Sequence, residues 1–196
     1  CLLMTTGCGS FFVYPGSSSD GGGSGSTSGN YVYVANATTQ SLAGFAVGTG
    51  TLTAVTGSPY NLGFTPVSIA INPANTFLFV SGYNNAGTGL IYAYSIGATG
   101  ALSALNSGLA MVTGYEEVAM DISPDGQWLM GLDGVVTTTS GTLDEFSINT
   151  TTGTLSGHTP APFNDSNTGV VVPHAVKFSP SGALVFVALG TAGDLV

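Results

Sequence analysis

Two kinds of turn recur at a nearly fixed interval along this chain, and that interval constrains the fold more than any other feature. The first turn centres on a proline: Asn72-Pro73-Ala74-Asn75, Ser123-Pro124-Asp125-Gly126 and Ser179-Pro180-Ser181-Gly182, with the prolines 51 and 56 residues apart. The second is a Thr-Gly-X-Leu turn, at Thr49–Leu52, Thr99–Leu102 and Thr152–Leu155, with glycines 50 and 53 residues apart. Two independent marks keeping one period define a repeated unit.

Between the marks lie short runs of β-branched and aromatic residues, the pattern of strands separated by turn residues. One run precedes each proline turn (Val67–Ile71, Val118–Ile122, His174–Phe178) and one follows it (Thr76–Val80, Gln127–Met130, Ala183–Val187). A third follows (Leu90–Ile96, Thr142–Ile148), and a shorter fourth comes after each Thr-Gly turn. Four strands in a unit of some 50 residues is the signature of a β-propeller blade. The expected fold is therefore all-β, a β-propeller with four-stranded antiparallel blades. Residues 31–196 hold about three and a half blades, whereas propellers close with about 4–8. The chain is expected to be part of a ring that continues beyond it. A complete β-sandwich is the competing reading, but a sandwich does not demand a fixed period.

Composition fits this reading and removes others. Only 6% of the 196 residues are charged, with one Lys or Arg against ten Asp or Glu and a formal charge of −9. A solvated helical bundle needs charged outer faces, and a nucleic-acid binder needs a basic footprint. At 43% hydrophobic, most of the chain has ample surface to bury.

The ends read differently. Residues 1–15 open on an apolar stretch in which Thr6-Gly7-Cys8 matches the small residues and cysteine of a lipoprotein signal. Cys8 is the expected lipidation site, and a short core strand with incidental thiols is the alternative. Residues 16–30 are Gly/Ser-rich with nothing to anchor a core, the composition of a flexible tether. Both cysteines lie in the leader, so the repeated part has no disulfide framework or Cys-based metal site. The expected address is export to a bacterial cell envelope, touching the membrane only through an N-terminal lipid anchor.

Tyr31-Val32-Tyr33-Val34-Ala35-Asn36, followed by Leu42–Val47, Gly50–Leu52, Gly57–Pro59 and the Ser-Pro-Asp-Gly turn, resembles the YVTN-type repeat of the seven-bladed lactonase-like propellers, the 6-phosphogluconolactonase and muconate-lactonizing family. The resemblance covers Tyr31 to Val196. It implies about half of a seven-bladed ring. Pro173-His174 before Ser179–Gly182 also matches a family motif. Val172 stands where many members have a second His, and Ala188-Leu189-Gly190 where they have Asp-Leu-Gly. Lys177 is the only basic residue.

Aligned on the prolines, Val67, Val118 and His174 share one position, Pro66, Glu117 and Pro173 the next, and Thr65, Glu116 and Val172 the one before. Strand alternation places His174 on the face of Val176 and Phe178. The start of the innermost strand lies at a channel rim, so His174, Glu117 and Glu116 are candidates for one cleft. Lactone hydrolysis needs a general base to activate water and donors for the oxyanion. Histidine titrates in the right range, which gives His174 the base role, with Glu117 orienting or sharing it. His158 reads as an exposed loop residue, Asp125 as a turn residue and Trp128 as core. Asp165 reads as a solvated loop residue in preference to a calcium ligand. No cofactor or metal site is expected. The expected partner is a lactone or sugar, a glycan, or a protein, with nucleic acid excluded. Two functions stand: an exported surface or periplasmic binding or scaffold protein, or a lactone hydrolase.

Overall fold

The structure is a computed structural model that describes residues 29–115, 117–134, 140–164 and 171–191. Cys8, Glu116, Asp165 and most of the tether lie outside the described residues.

Fifteen described strands form four antiparallel sheets. The first contains β1 (Tyr31–Asn36), β2 (Ser41–Gly48), β3 (Thr51–Ala54) and β4 (Tyr60–Asn61). The second contains β5 (Thr65–Ile71), β6 (Phe77–Tyr83), β7 (Gly89–Ile96), β8 (Leu102–Ala104) and β9 (Met111–Gly114). The third contains β10 (Glu117–Ile122), β11 (Trp128–Asp133), β12 (Ser140–Ile148) and β13 (Leu155–Asn164). The fourth pairs β14 (Val171–Phe178) with β15 (Val185–Thr191). Each sheet is a meander, and the opening strands β1, β5, β10 and β14 lie side by side in that order. This is the blade arrangement of a β-propeller.

The outermost layer differs between blades. In the first and second it is split: β3 and β4 cover the two ends of β2, and β8 and β9 the two ends of β7. In the third, β13 alone runs along β12. Pro160 and Pro162 are tolerated there because an edge strand need not offer every N–H to a partner.

Apolar seams join the blades. Tyr33, Leu42, Phe64, Leu78, Val80 and Tyr94 pack between the first and second. Ala70, Phe79, Ile91, Met120, Leu129 and Phe146 pack between the second and third. Ala119, Leu132 and Val176 begin the third seam. Blade faces covered on both sides explain how so few charges suffice.

The two sequence marks are where neighbouring blades touch. The residue before each proline organises its turn: Asn72 Oδ1 accepts the N–H groups of Thr76 and Phe77, Ser123 Oγ that of Trp128, and Ser179 Oγ that of Leu184. Gly126 and Gly182, both at φ +73°, sit against Pro73 and Pro124 of the preceding blade. In the Thr-Gly turns, a Cβ on Gly100 (φ +76°) would lie 2.3 Å from the Tyr31 ring, and one on Gly153 (φ +71°) 2.5 Å from Phe77. Left-handed backbone and a ring from the preceding blade both require glycine there.

Candidate functional site

The three later blades open with the same irregularity. Pairing slips between Pro66 and Ser68, between Glu117 and Ala119, and between Pro173 and Ala175. A β-bulge leaves one extra residue without a cross-strand partner; here these are Val67, Val118 and His174. The bulge corrects the expected alternation on β14. Pro173 and Val176 are buried while His174, Ala175 and Lys177 are exposed, so His174 does not share the buried face of Val176.

Glu117 lies one residue before its bulge and is 0% exposed. Its carboxylate rests on Gly131, where a Cβ would come within 2.4 Å of Glu117 Oε2. Gly131 is the cross-strand partner of Met120, which packs toward the second blade. The Ser81 hydroxyl of β6 also donates to the Glu117 carbonyl, at 2.6 Å. Glu117 is therefore held inside the seam between the second and third blades, whereas His174 stands in the open on the fourth. The cleft expected to unite them is divided by burial.

Lys177, the chain's one basic residue, is exposed on β14. Its Nζ lies 2.6 Å from Asp121 Oδ1, and Asp121 Oδ2 accepts the Phe178 N–H at 2.7 Å. Asp121 and Lys177 hold equivalent positions, three residues before their prolines. One carboxylate thus clasps the inner strands of two adjacent blades.

The structure also assembles a pair that sequence reasoning missed. His158 lies on β13, not in a loop. Its Nε2 is 3.0 Å from Asp144 Oδ2, and its ring stacks on Phe146 with centroids 5.1 Å apart and planes 10° off parallel. Asp144 is 3% exposed, while the His158 side chain is 29% exposed. Pairing slips between Glu145 and Ser147, so Gly157 and His158 both lie opposite Phe146. Gly157 at φ +67° supplies the left-handed residue that such bulges use. A glycine just before a histidine within an apolar–polar alternation was the available signal, and Pro160 and Pro162 obscured it.

Other expectations resolve simply. Asp125 is a turn residue: its carboxylate accepts from the Ser123 hydroxyl and the Gln127 N–H, and these bonds, the hydroxyl's first, hold its pKa below the usual value. Trp128, expected in the core, is 41% exposed. An open apolar groove of about 470 Å³, lined by Leu143, Phe163, Val185, Val187 and neighbours, runs between the third blade and β15. Among the described residues no group of three or more His, Cys, Asp or Glu is arranged to hold a metal.

No protein-family model and no curated protein sequence matches the chain. Solved structures do match it in shape. A proposed 6-phosphogluconolactonase from Bacteroides uniformis superposes with a TM-score of 0.61 at 18% identity, over 81% of this chain and 43% of that one. A second, from Bacteroides fragilis, gives 0.54 at 19% identity, over 68% of this chain and 36% of that one. The periplasmic gluconolactonase of Pseudomonas aeruginosa gives 0.51 at 17% identity, over 76% of this chain and 42% of that one. The chain has the lactonase-like propeller fold. It spans less than half the length of these proteins.

Proposed function

We propose that the protein is an exported propeller, lipid-anchored through Cys8, that binds a neutral sugar or glycan at the rim where His174 stands. The observation that carries this reading is the setting of the His174 imidazole among the described residues. His174 is exposed, Glu117 is withdrawn into a seam, and the one basic side chain is engaged by Asp121. A base needs an orienting group and an anionic substrate needs a cation, whereas a neutral polyol needs neither. Calorimetric titration of the full-length protein with neutral oligosaccharides and with phosphorylated sugars tests this. Tighter binding of the phosphorylated set would sink it. Membrane partition of Cys8→Ser tests the anchor, and unchanged partition removes that claim.

A second reading, lactone hydrolysis, is favoured by the exposed Pro173-His174 bulge and by the lactonase names of the similar structures. It predicts lactone opening by the full-length protein. Equal rates in wild type and His174→Ala would remove His174 from the chemistry.

A further inference from the structure

The Asp144–His158 pair has features that the rim lacks. A buried carboxylate faces one ring nitrogen, an aromatic ring fixes the plane of the imidazole, and the side chain still reaches solvent. Neutral imidazole has one N–H and one lone pair, and the group bonded to one nitrogen sets the state of the other. Asp144 Oδ2 faces Nε2 at 3.0 Å, so a neutral ring that turns its proton toward this carboxylate carries its lone pair on Nδ1. No described residue hydrogen-bonds Nδ1. An oriented base backed by a buried acid is the arrangement that activates water or a nucleophile. β13 bulges at Gly157, where the corresponding stretches β3 and β8 pair without a slip, while β9 carries a bulge of its own at Thr113.

We infer that Asp144 and His158 form a general-base dyad acting on an ester or lactone carbonyl at the outer strand of the third blade. This rests on the hydrolase reading and moves its base from His174 to His158. His158 Nδ1 takes a proton from water as the water oxygen bonds to the carbonyl carbon. The tetrahedral adduct then breaks its bond to the alkoxy oxygen, which leaves with the proton from the imidazolium. An ester yields an acid and an alcohol, and a lactone a single hydroxy acid. His158 is the catalytic residue. Asp144 is a positioning residue, acting through the imidazole.

The chain holds two histidines, so reactivity can be assigned residue by residue. Acylation of the full-length protein by diethyl pyrocarbonate, followed by peptide mass spectrometry, should show His158 reacting about tenfold faster in wild type than in Asp144→Asn, with the His174 rate unmoved. Nitrogen-15 chemical shifts should place the neutral proton of His158 on Nε2. Hydrolysis of glucono-lactone and of a nitrophenyl ester should fall by about 10²-fold or more in His158→Gln, the usual worth of a general base. A wild-type rate in His158→Gln together with loss in His174→Ala would overturn the dyad and keep the hydrolase. Absence of hydrolysis in wild type would sink the hydrolase reading. The acylation rates would then still judge the pair, and a His158 rate insensitive to Asp144→Asn would overturn it. Asp144→Asn keeps the buried volume and one acceptor oxygen, so a folded variant is expected, and circular dichroism checks it.

Discussion

The seam between the first and second blades and the seam between the second and third are apolar structures on one template that differ in chemistry at one set of equivalent positions. On the second blade, Val80 of β6 is paired with Tyr92 of β7, and Phe64 stacks on Tyr92 at 4.5 Å. One repeat later the same positions hold Gly131 and Asp144, also cross-strand partners. Glu117 takes the place of Pro66, and its carboxylate fills the space a side chain at Gly131 would need. An apolar block has been replaced by two acids, a glycine and an outer-strand histidine. Polar residues enter a buried seam as a set: one residue makes room, and another, His158, brings a ring nitrogen to 3.0 Å from an oxygen of Asp144.

This contrast can be broken at several points. The largest effect is expected at Phe64→Ala, which empties a 2% exposed aromatic site and should cost about 3–5 kcal/mol by urea denaturation. A loss under 1 kcal/mol would mean that the first seam is not held by this stack. Next is Gly131→Val, which restores the second blade's residue on the third. With Glu117 enclosed, the added methyls overpack the seam and should cost about 1–3 kcal/mol. Adding Glu117→Ala should recover part of that loss in a double-mutant cycle. Strict additivity would show that the two residues do not compete for space.

A smaller effect is expected at Tyr33→Phe, which removes a 2.7 Å bond to the Gly100 carbonyl, worth about 0.5–1.5 kcal/mol. Burial pushes the Tyr33 phenol well above its usual pKa, so the folded state favours the neutral ring. That contribution is complete below the unfolded value of about 10 and is lost as pH climbs beyond it. Alkaline unfolding should therefore be shallower in Tyr33→Phe, and identical alkaline limbs would refute the assignment. The smallest effect is expected at Asp125→Asn in the third blade's turn. Its lowered pKa stabilises the fold above the unfolded value of about 3.9, and the gain disappears as pH falls through the folded value. Wild type and variant should differ slightly at pH 7 and converge as pH falls well below the ordinary carboxyl range.

The blade architecture was legible because its signals are local and repeated. A proline turn needs a small polar residue before it and a left-handed residue after it, and sequence displays both. The site was less legible because bulges carry no such mark. Val67, Val118 and His174 sit in unbroken β-type runs, so alternation counted through them assigns the wrong face to everything upstream. His158 failed for the opposite reason. Gly157, Pro160 and Pro162 are breakers in a central strand but are admissible at an edge, and only the tertiary position of β13 reveals which rule applies.

The glycine turns carry one more implication. Gly100 is shaped by Tyr31 and Gly153 by Phe77, while Gly50, in the first described blade, has nothing within 4 Å among the described residues. In both described contacts the ring belongs to the earlier blade and the glycine to the later one. The cooperative unit is thus offset from the blade, beginning with a ring in one and closing with a turn in the next. A blade made later in synthesis thus finds, already present on the blade before it, the ring over which its glycine turn closes.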